Sequence, residues 1–582
     1  MLNFIIGRNN SGKTEKIRAL IAERASENKK CILIVPEQFS FESERSILEK
    51  IGAQKMLNVD ILSFTRLAFV INEQYGKALN KTIDDGTRKV LMSLSLEALS
   101  GKLEYFKRFS SKPALLSNLL TFVTELKQCA VTPDEIAEIS GKTGNKSLGK
   151  KLSELSLIAA SYDALVSRSF FDDENLLTIA ADMISETDFF DGKAVYFDAF
   201  CGFTKQERNC IKSILPKAEN VFISLCTDRD LSREGVSVFE NVNTEFSHLK
   251  ECAAEQNVGV SSPEILNVKE DGRSPELVYL EKYLCGEESE PYKEECDNIV
   301  VCAAGNRADE ADFVACEIKK LLRCNPTLRC RNIAVIERTA GTYDKELSES
   351  FKKYGVPMFE DKRRPIGIQP VMVFVKCLLA LCAEGFSTES FMRLLKTGLT
   401  ALSGDEISEL ENYAFLWNID GSKWRRDFTE NPDGLGFDVT EKSQEKLIRL
   451  NDIRKRSVLP VLAFKKDFEE ADGEKKSRLI YEFLIKNGVT ERLREKIEYL
   501  VSSGDTVLCE EQDTVWATLM DMLGKMASAI GETVITAKRY SELFNILLSA
   551  VTLGSLPQEL DSVTVGAADR IRVSDCKVAF VI

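Results

Sequence analysis

Eight residues near the start, Gly7-Arg8-Asn9-Asn10-Ser11-Gly12-Lys13-Thr14, constrain this chain more than any other feature. They match G-x-x-x-x-G-K-[ST], and their flanks give the match structural meaning. Leu2 to Ile6 is a short apolar run, as a strand buried on both faces should be. Thr14 to Ser26 holds good helix formers and no Pro or Gly. Cys31 to Val35 is a second apolar run, stopped by Pro36. Strand, loop, helix and strand in that order put the loop at a strand's C-terminal end. Gly7 and Gly12 there let backbone N–H groups curl around a phosphate without a Cβ clash. The helix start adds partial positive charge. The pattern predicts that Gly7, Arg8, Asn9, Asn10, Ser11, Gly12, Lys13 and Thr14 cradle the phosphates of ATP. Lys13 should reach the β/γ-phosphates, and the Thr14 hydroxyl should hold Mg²⁺.

Such a loop needs a second, acidic partner. Lys193-Ala194-Val195-Tyr196-Phe197-Asp198 is an apolar strand ending in Asp, so Asp198 is expected to hold Mg²⁺ through water. An ordinary strand ending in a turn Asp is the competing reading. An active motor of this kind usually has Glu after that Asp to orient the attacking water. Here the next residue is Ala199, and no carboxylate follows until Glu207. Only six residues precede Gly7, which leaves no room for an upstream glutamine that reads adenine. Both features predict nucleotide binding with weak or absent hydrolysis.

Composition narrows the class. Hydrophobic residues make up 44% of 582, an ordinary globular share, and no run reaches the ~18 apolar residues of a membrane span. The N-terminus has no basic export region, so no membrane association and a cytoplasmic location are expected. The 16 Cys then read as reduced thiols; Cys377 and Cys382, in an apolar helical run, read as buried small hydrophobes. The single histidine, His248, excludes every mechanism that needs two. A net charge of −14 argues against a DNA-coating protein but not against DNA in a local groove. The acidic stretch around Glu287, Glu288 and Glu290 reads as a solvated linker.

Along the chain, strand and helix signals alternate to Leu67, and Val59 to Leu62 is a further strand. From Leu79 to Ser185 the pattern is helical. Strands resume at Val195–Asp198 and Val221–Leu225, and Arg229 to Asn298 reads as polar and irregular. A second α/β unit is expected from a strand at Ile299-Val300-Val301-Cys302, with a helix at Asp309–Leu322 and a strand at Ile333–Ile336. Val371 to Ala550 is helical again, and strands return at Asp561–Val565 and Val578–Ile582.

This order of motifs resembles the superfamily 1 helicase core, and more specifically the AddB/RexB family, the B subunit of the bacterial ATP-dependent helicase/deoxyribonuclease. The residues that carry the likeness span the chain. They are Gly7 to Thr14, Val35 to Glu42, Leu62 to Leu67, Phe197 to Thr204, Asp309-Glu310-Ala311, Ile333 to Arg338 with Tyr343, Pro357 to Asp361, and Asp561 to Arg570.

The resemblance implies an α/β fold of two RecA-like P-loop domains, each with a large all-helical insertion. The first domain would occupy 1–78 and, with the Asp198 strand and a linker, 187–290, around an insertion at 79–186. The second would occupy 291–370 and 555–582, around an insertion at 371–554. The resemblance also implies a partner motor subunit of the A type in a heterodimer, and action on single-stranded DNA and duplex ends in double-strand-break repair. It further implies recognition of a regulatory (Chi) sequence by this half. Arg338 would face nucleotide, with a surface Arg at a strand end as the equal alternative. Phe64 and Arg66 would lie beside single-stranded DNA, where a ring and a cation suit a base, with core packing as the alternative.

Family members continue into a nuclease domain, a 5′–3′ exonuclease, with a four-Cys 4Fe-4S cluster. Val578 to Ile582 reads as a buried strand, and a terminal carboxylate there would be costly, so the chain is expected to be a fragment. Trp424-Arg425-Arg426 and Lys362-Arg363-Arg364 are the strongest local basic clusters, and they read as solvated faces. The alternatives are an autonomous superfamily 1 helicase, a small-molecule P-loop kinase, and a DNA-binding scaffold with a vestigial loop.

Overall fold

The computed structural model describes residues 1–76, 83–107, 112–169, 173–228, 238–268, 273–286, 290–339, 341–360, 364–504, 506–553, 561–568, 571 and 576–582. The chain divides into two compact units, Met1–Ile299 and Val300–Ile582. The whole is a mixed α/β protein, mostly helical, built on parallel sheets.

The first unit holds strands β1 (Leu2–Ile6), β2 (Cys31–Ile34), β3 (Val59–Leu62), β4 (Ala194–Phe197), β5 (Asn220–Leu225) and β6 (Glu264–Ile265). They form one sheet in the order β3-β2-β4-β5-β1-β6, and every pairing is parallel. A parallel sheet must be covered on both faces, which is why its strands read as continuous apolar runs. Side-chain alternation divides each of the strands β1 to β5 between two cores, while both residues of β6 are exposed. Leu2, Phe4 and Ile6 join Val195 and Phe197 on one face. Ile5 joins Ala194 and Tyr196 on the other.

The first helix, α1 (Lys13–Ser26), presents Ile17, Ile21 and Ala25 to that second face at four-residue spacing. The first face is covered by the helices Phe64–Tyr75, Asp173–Glu186, Lys205–Ile214 and Glu240–Glu255. Between β3 and β4 the described residues hold helices and no strand. The helix Asp173–Glu186, at the end of the stretch expected as an insertion, packs Leu176, Ala180 and Ile184 onto the sheet.

The reading of 229–298 as irregular is corrected. That stretch contains the helices Glu240–Glu255 and Pro275–Leu284. In the first of them Val242, Phe246, Leu249 and Ala253 form a narrow apolar stripe within an otherwise polar run. The stripe is enough for a helix with one covered face.

The second unit holds β7 (Ile333–Glu337), β8 (Met358–Glu360), β9 (Arg364–Pro365), β10 (Thr552–Leu553), β11 (Val563–Ala567) and β12 (Val578–Val581). Four of them form a parallel sheet in the order β12-β7-β11-β8, and β9 pairs with β10 antiparallel. The helices Arg307–Cys324 and Asp344–Tyr354 bury Ala311, Val314, Ile318, Leu347 and Phe351 against it. Between β9 and β10 the described chain is helical, and Cys377 and Cys382 are buried in the helix Pro370–Ala383.

Two expectations change here. Ile299 to Cys302 forms no strand, and Val300 and Val301 are 77% and 93% exposed. An apolar run becomes a strand only where a neighbour offers backbone partners, and none among the described residues pairs with it. Residues 578–581 do form a strand, but at the sheet edge, where Ala579 and Val581 point outward instead of into a core. No helix among the described residues is long and apolar enough to cross a membrane.

Candidate nucleotide site at the Gly7–Thr14 loop

The loop leaves the C-terminal edge of the first sheet between β5 and β6. The Gly7 N–H donates to the Leu225 carbonyl at 3.3 Å, which continues the β1–β5 ladder into the turn. Gly7 is required by space. A Cβ there would stand 2.3 Å from Ser11 Oγ and 2.8 Å from the Leu266 carbonyl oxygen. The chain then turns through left-handed conformations at Asn10 (φ 58°) and Gly12 (φ 86°), which Gly and Asn accept with least strain. Gly12 caps α1, and no side chain caps the first turn. The N–H groups at a helix start need acceptors, so this start is open to an anion.

Lys13 folds back over the loop. Its Nζ donates to the carbonyls of Gly7 and Arg8, each at 2.8 Å, and lies 3.5 Å from Ser11 Oγ. Burial lowers its pKa, while the charges of Cys226, Asp198 and Glu15 oppose that shift. A partly desolvated ammonium held by dipoles favours an added anion. Thr14 is half-buried in the first turn of α1, and Asn9 and Asn10 are exposed.

Asp198 directly follows β4. It is buried, its N–H donates to the Ile34 carbonyl at 3.1 Å, and its carboxylate accepts from Ser224 Oγ of β5 at 2.5 Å. The sheet therefore places a buried carboxylate within electrostatic reach of Lys13. Ala199 follows in a left-handed conformation (φ 67°) and offers no polar group. The next carboxylate, Glu207, is committed elsewhere. It accepts from the Thr204 N–H at 2.7 Å in the capping box of the helix Lys205–Ile214, and burial raises its pKa.

Three residues escaped the sequence reading. Ser224 orients Asp198. Cys226, one residue past β5, faces Lys13 electrostatically. Glu281 pairs with Arg8 at 3.5 Å from the helix Pro275–Leu284, and both side chains are largely covered. Nothing local marks them, because each depends on a contact that spans most of the unit.

The other expected site residues lie on other elements. Phe64 is buried, its ring centroid 5.9 Å from that of Phe197, 5.5 Å from Phe200 and 6.1 Å from Phe203. Core packing, the alternative reading for this residue, describes its position here. Arg66 is exposed on the same helix. Arg338 is exposed and follows β7 in the second unit; its buried neighbour Glu337 accepts from the Gly341 and Tyr343 N–H groups at 2.9 and 3.3 Å. Trp424 is fully buried and its indole donates to Thr388 Oγ1 at 2.9 Å, while Arg425 and Arg426 are exposed. Lys362, Arg363, Asp361, Asp569, Arg570 and the acidic Glu287-Glu288-Ser289 lie outside the described residues.

A glycine-built loop with a lysine across it, on the C-terminal edge of a parallel sheet, defines an α/β protein equipped to hold a polyphosphate anion. Residues 4–281 match the family described as ADDB, N-terminal. The whole chain is 29% identical to the B subunit of the ATP-dependent helicase/deoxyribonuclease of Acetivibrio thermocellus and covers 52% of that protein. It is also 29% identical to the proteins of the same name from Clostridium acetobutylicum and Thermoanaerobacter sp., covering 51% of each. The chain is similar to the AddB family along its length, and it spans about half the length of the curated relatives it matches.

Proposed function

We propose that this chain is the helicase-like, ATP-binding part of a B-type subunit, paired with an A-type motor subunit in processing double-strand DNA breaks. The observation that carries the proposal is the unfinished state of the loop. The first turn of α1 has no side-chain cap, and the Lys13 ammonium is partly desolvated over two carbonyls, near the buried Asp198. In this reading both units are RecA-like. The loop N–H groups and Lys13 bind the β/γ-phosphates. The Thr14 hydroxyl and Asp198, through water, hold Mg²⁺, which supplies charge neutralisation at the phosphates. Arg338 belongs to the nucleotide-facing side of the second unit.

Turnover is weak because the residue after Asp198 is Ala199 and Glu207 is engaged in a helix cap. The chain is therefore nucleotide-gated and not an autonomous motor. The relatives' names supply the helicase and deoxyribonuclease context, and the proposal extends it to this chain. Single-stranded DNA and duplex ends are the substrates, with Arg66 as an exposed contact. A regulatory (Chi) sequence is read by this half, and the exonuclease and 4Fe-4S cluster belong to the other half of such proteins.

The test is ATP binding and steady-state hydrolysis, side by side, for this chain and Lys13→Ala, with and without single-stranded DNA. The expected result is ATP binding that weakens by about 10- to 100-fold in Lys13→Ala, the loss of a charge-assisted contact, with negligible turnover in both. Robust DNA-stimulated turnover would restore the autonomous helicase. Binding unchanged in Lys13→Ala, or no binding at all, would favour a scaffold.

A further inference from the structure

We infer that the helix Pro275–Leu284 is a latch that reports occupancy of the Gly7–Thr14 loop to residues 297–299, the last of the first unit. The inference rests on nucleotide binding by that loop. The way the helix is held makes it releasable. Most helices of a folded protein stay in place by burying an apolar face. Here Leu277, Leu280 and Leu284 share one face, at i, i+3 and i+7, and are 42%, 38% and 63% exposed. The one buried residue of the helix is a carboxylate, Glu276. An element with little apolar burial belongs to the part of a protein that opens most easily.

Two polar ties reach out from it instead, one to each place the latch connects. Glu281 pairs with Arg8 of the loop at 3.5 Å. Glu276 accepts from the backbone N–H groups of Asp297 and Asn298 at 3.2 and 3.4 Å and from Asn298 Nδ2 at 3.0 Å. Hydrogen bonds from its own N–H and from Asn298 hold the Glu276 carboxyl at about 2, so this tie is in force at physiological pH. The two glutamates are five residues apart on one helix, about 7.5 Å along its axis. A displacement at one is therefore felt at the other.

The tie at Arg8 is the one a nucleotide contests. The guanidinium meets Glu281 through Nε in a single long contact, with both side chains largely covered. A covered ion pair gains little over its desolvation cost unless its geometry is good. A triphosphate brings several negative charges and paired oxygens, which a guanidinium grips in bidentate fashion. The polyphosphate therefore binds better to the state in which Arg8 has left Glu281. By linkage, occupancy of the loop favours the released helix, and release favours binding. With Glu281 unpaired, the helix loosens and the Asp297 and Asn298 N–H groups open more often.

Amide hydrogen exchange of the full chain, read by mass spectrometry over residues 273–299, tests this alongside titration calorimetry. The ligands are ATP and inorganic tripolyphosphate, each with Mg²⁺ and at saturation. In wild type, either ligand should speed exchange at Asp297 and Asn298 by about tenfold, the scale of one lost charged contact. Glu281→Gln should exchange there at the fast rate without ligand and show no further rise with it. By reciprocity it should also bind ATP more tightly, by about the same factor. Exchange in β1 and β2 should not change, which separates release of the latch from general unfolding.

ATP that binds to wild type yet leaves exchange at Asp297 and Asn298 unaltered, or slows it, would overturn the latch and leave the nucleotide reading intact. So would a Glu281→Gln protein that still responds to ATP as wild type does. If Glu281→Gln unfolds generally, the comparison of wild type with and without ligand decides alone. Failure of the loop reading looks different: wild type would bind neither ATP nor tripolyphosphate, and the latch would fall with it.

Discussion

Two turns leave the same edge of the first sheet, one after β1 and one after β4, and they are finished to different degrees. The β1 turn is open. Its helix start has no side-chain cap, its lysine is partly stripped of water, and its first residue is a glycine because nothing larger fits. The β4 turn is closed on itself. Asp198 has Ser224, the following helix has its own capping box with Glu207, and the residue directly after Asp198, Ala199, carries only a methyl group. An open turn is a binding device whose groups are completed by a ligand. A closed turn with no spare carboxylate cannot activate water. In the proposed reading, that difference separates holding a nucleotide from consuming it.

The largest expected effect comes from filling the space the β1 turn keeps empty. Gly7→Ala puts a methyl against Ser11 Oγ and the Leu266 carbonyl. Ser11 is itself buried and the carbonyl is backbone, so neither can give way freely. We expect about 2 kcal/mol of destabilisation, the scale of overpacking, together with loss of ATP binding. Urea denaturation and calorimetry check both. A variant as stable as wild type would mean that the loop is more yielding than its contacts imply, and the contrast between the turns would weaken.

A second measurement asks whether Lys13 costs the free protein stability. Its folded pKa lies below its ordinary value of 10.5, chiefly through burial. For a base with a depressed folded pKa, the folded state binds fewer protons than the unfolded state between the two values. Stability therefore rises with pH through that window, and the penalty is fully present below it. Lys13→Met should make the ligand-free protein more stable than wild type at pH 7. The advantage should shrink as pH climbs toward 10.5. Denaturation midpoints at pH 7, 8.5 and 10 give the trend. A Lys13→Met protein less stable than wild type at pH 7 would show that the two carbonyl bonds outweigh the desolvation.

The same contrast explains what could be read before the structure. β1 and β3 lie at the residues their apolar runs mark, and the loop signature needs only eight adjacent residues to be legible. What was not legible depends on contacts distant in sequence. Phe64 opens an amphipathic helix and looks accessible in one dimension, but Phe197, Phe200 and Phe203 arrive from more than a hundred residues away to enclose it. Glu281 sits in a stretch whose polarity hid the helix that carries it to Arg8. Ile299–Cys302 has a strand's composition without a strand's neighbour. Periodicity reports which face of an element is apolar, and it is silent on what comes to cover that face.

The smallest effect is expected at Ala199, and its sign is the point of interest. Alanine in the left-handed region costs about 1–2 kcal/mol relative to a helical or extended conformation. Glycine avoids that cost, but its unfolded chain is freer, which takes back about 0.4–1 kcal/mol. Ala199→Gly should therefore stabilise the protein by roughly 0.5 kcal/mol, where most substitutions at a buried strand end destabilise. Hydrolysis should stay negligible, because the change adds no carboxylate. A rise in the urea midpoint with no gain in turnover would establish that the β4 turn is strained yet catalytically silent. A fall in stability would mean that the methyl group contributes packing to the core on the sheet's second face, which Ala199 borders. The left-handed turn would then be held in place by that contact instead of tolerated in spite of its strain.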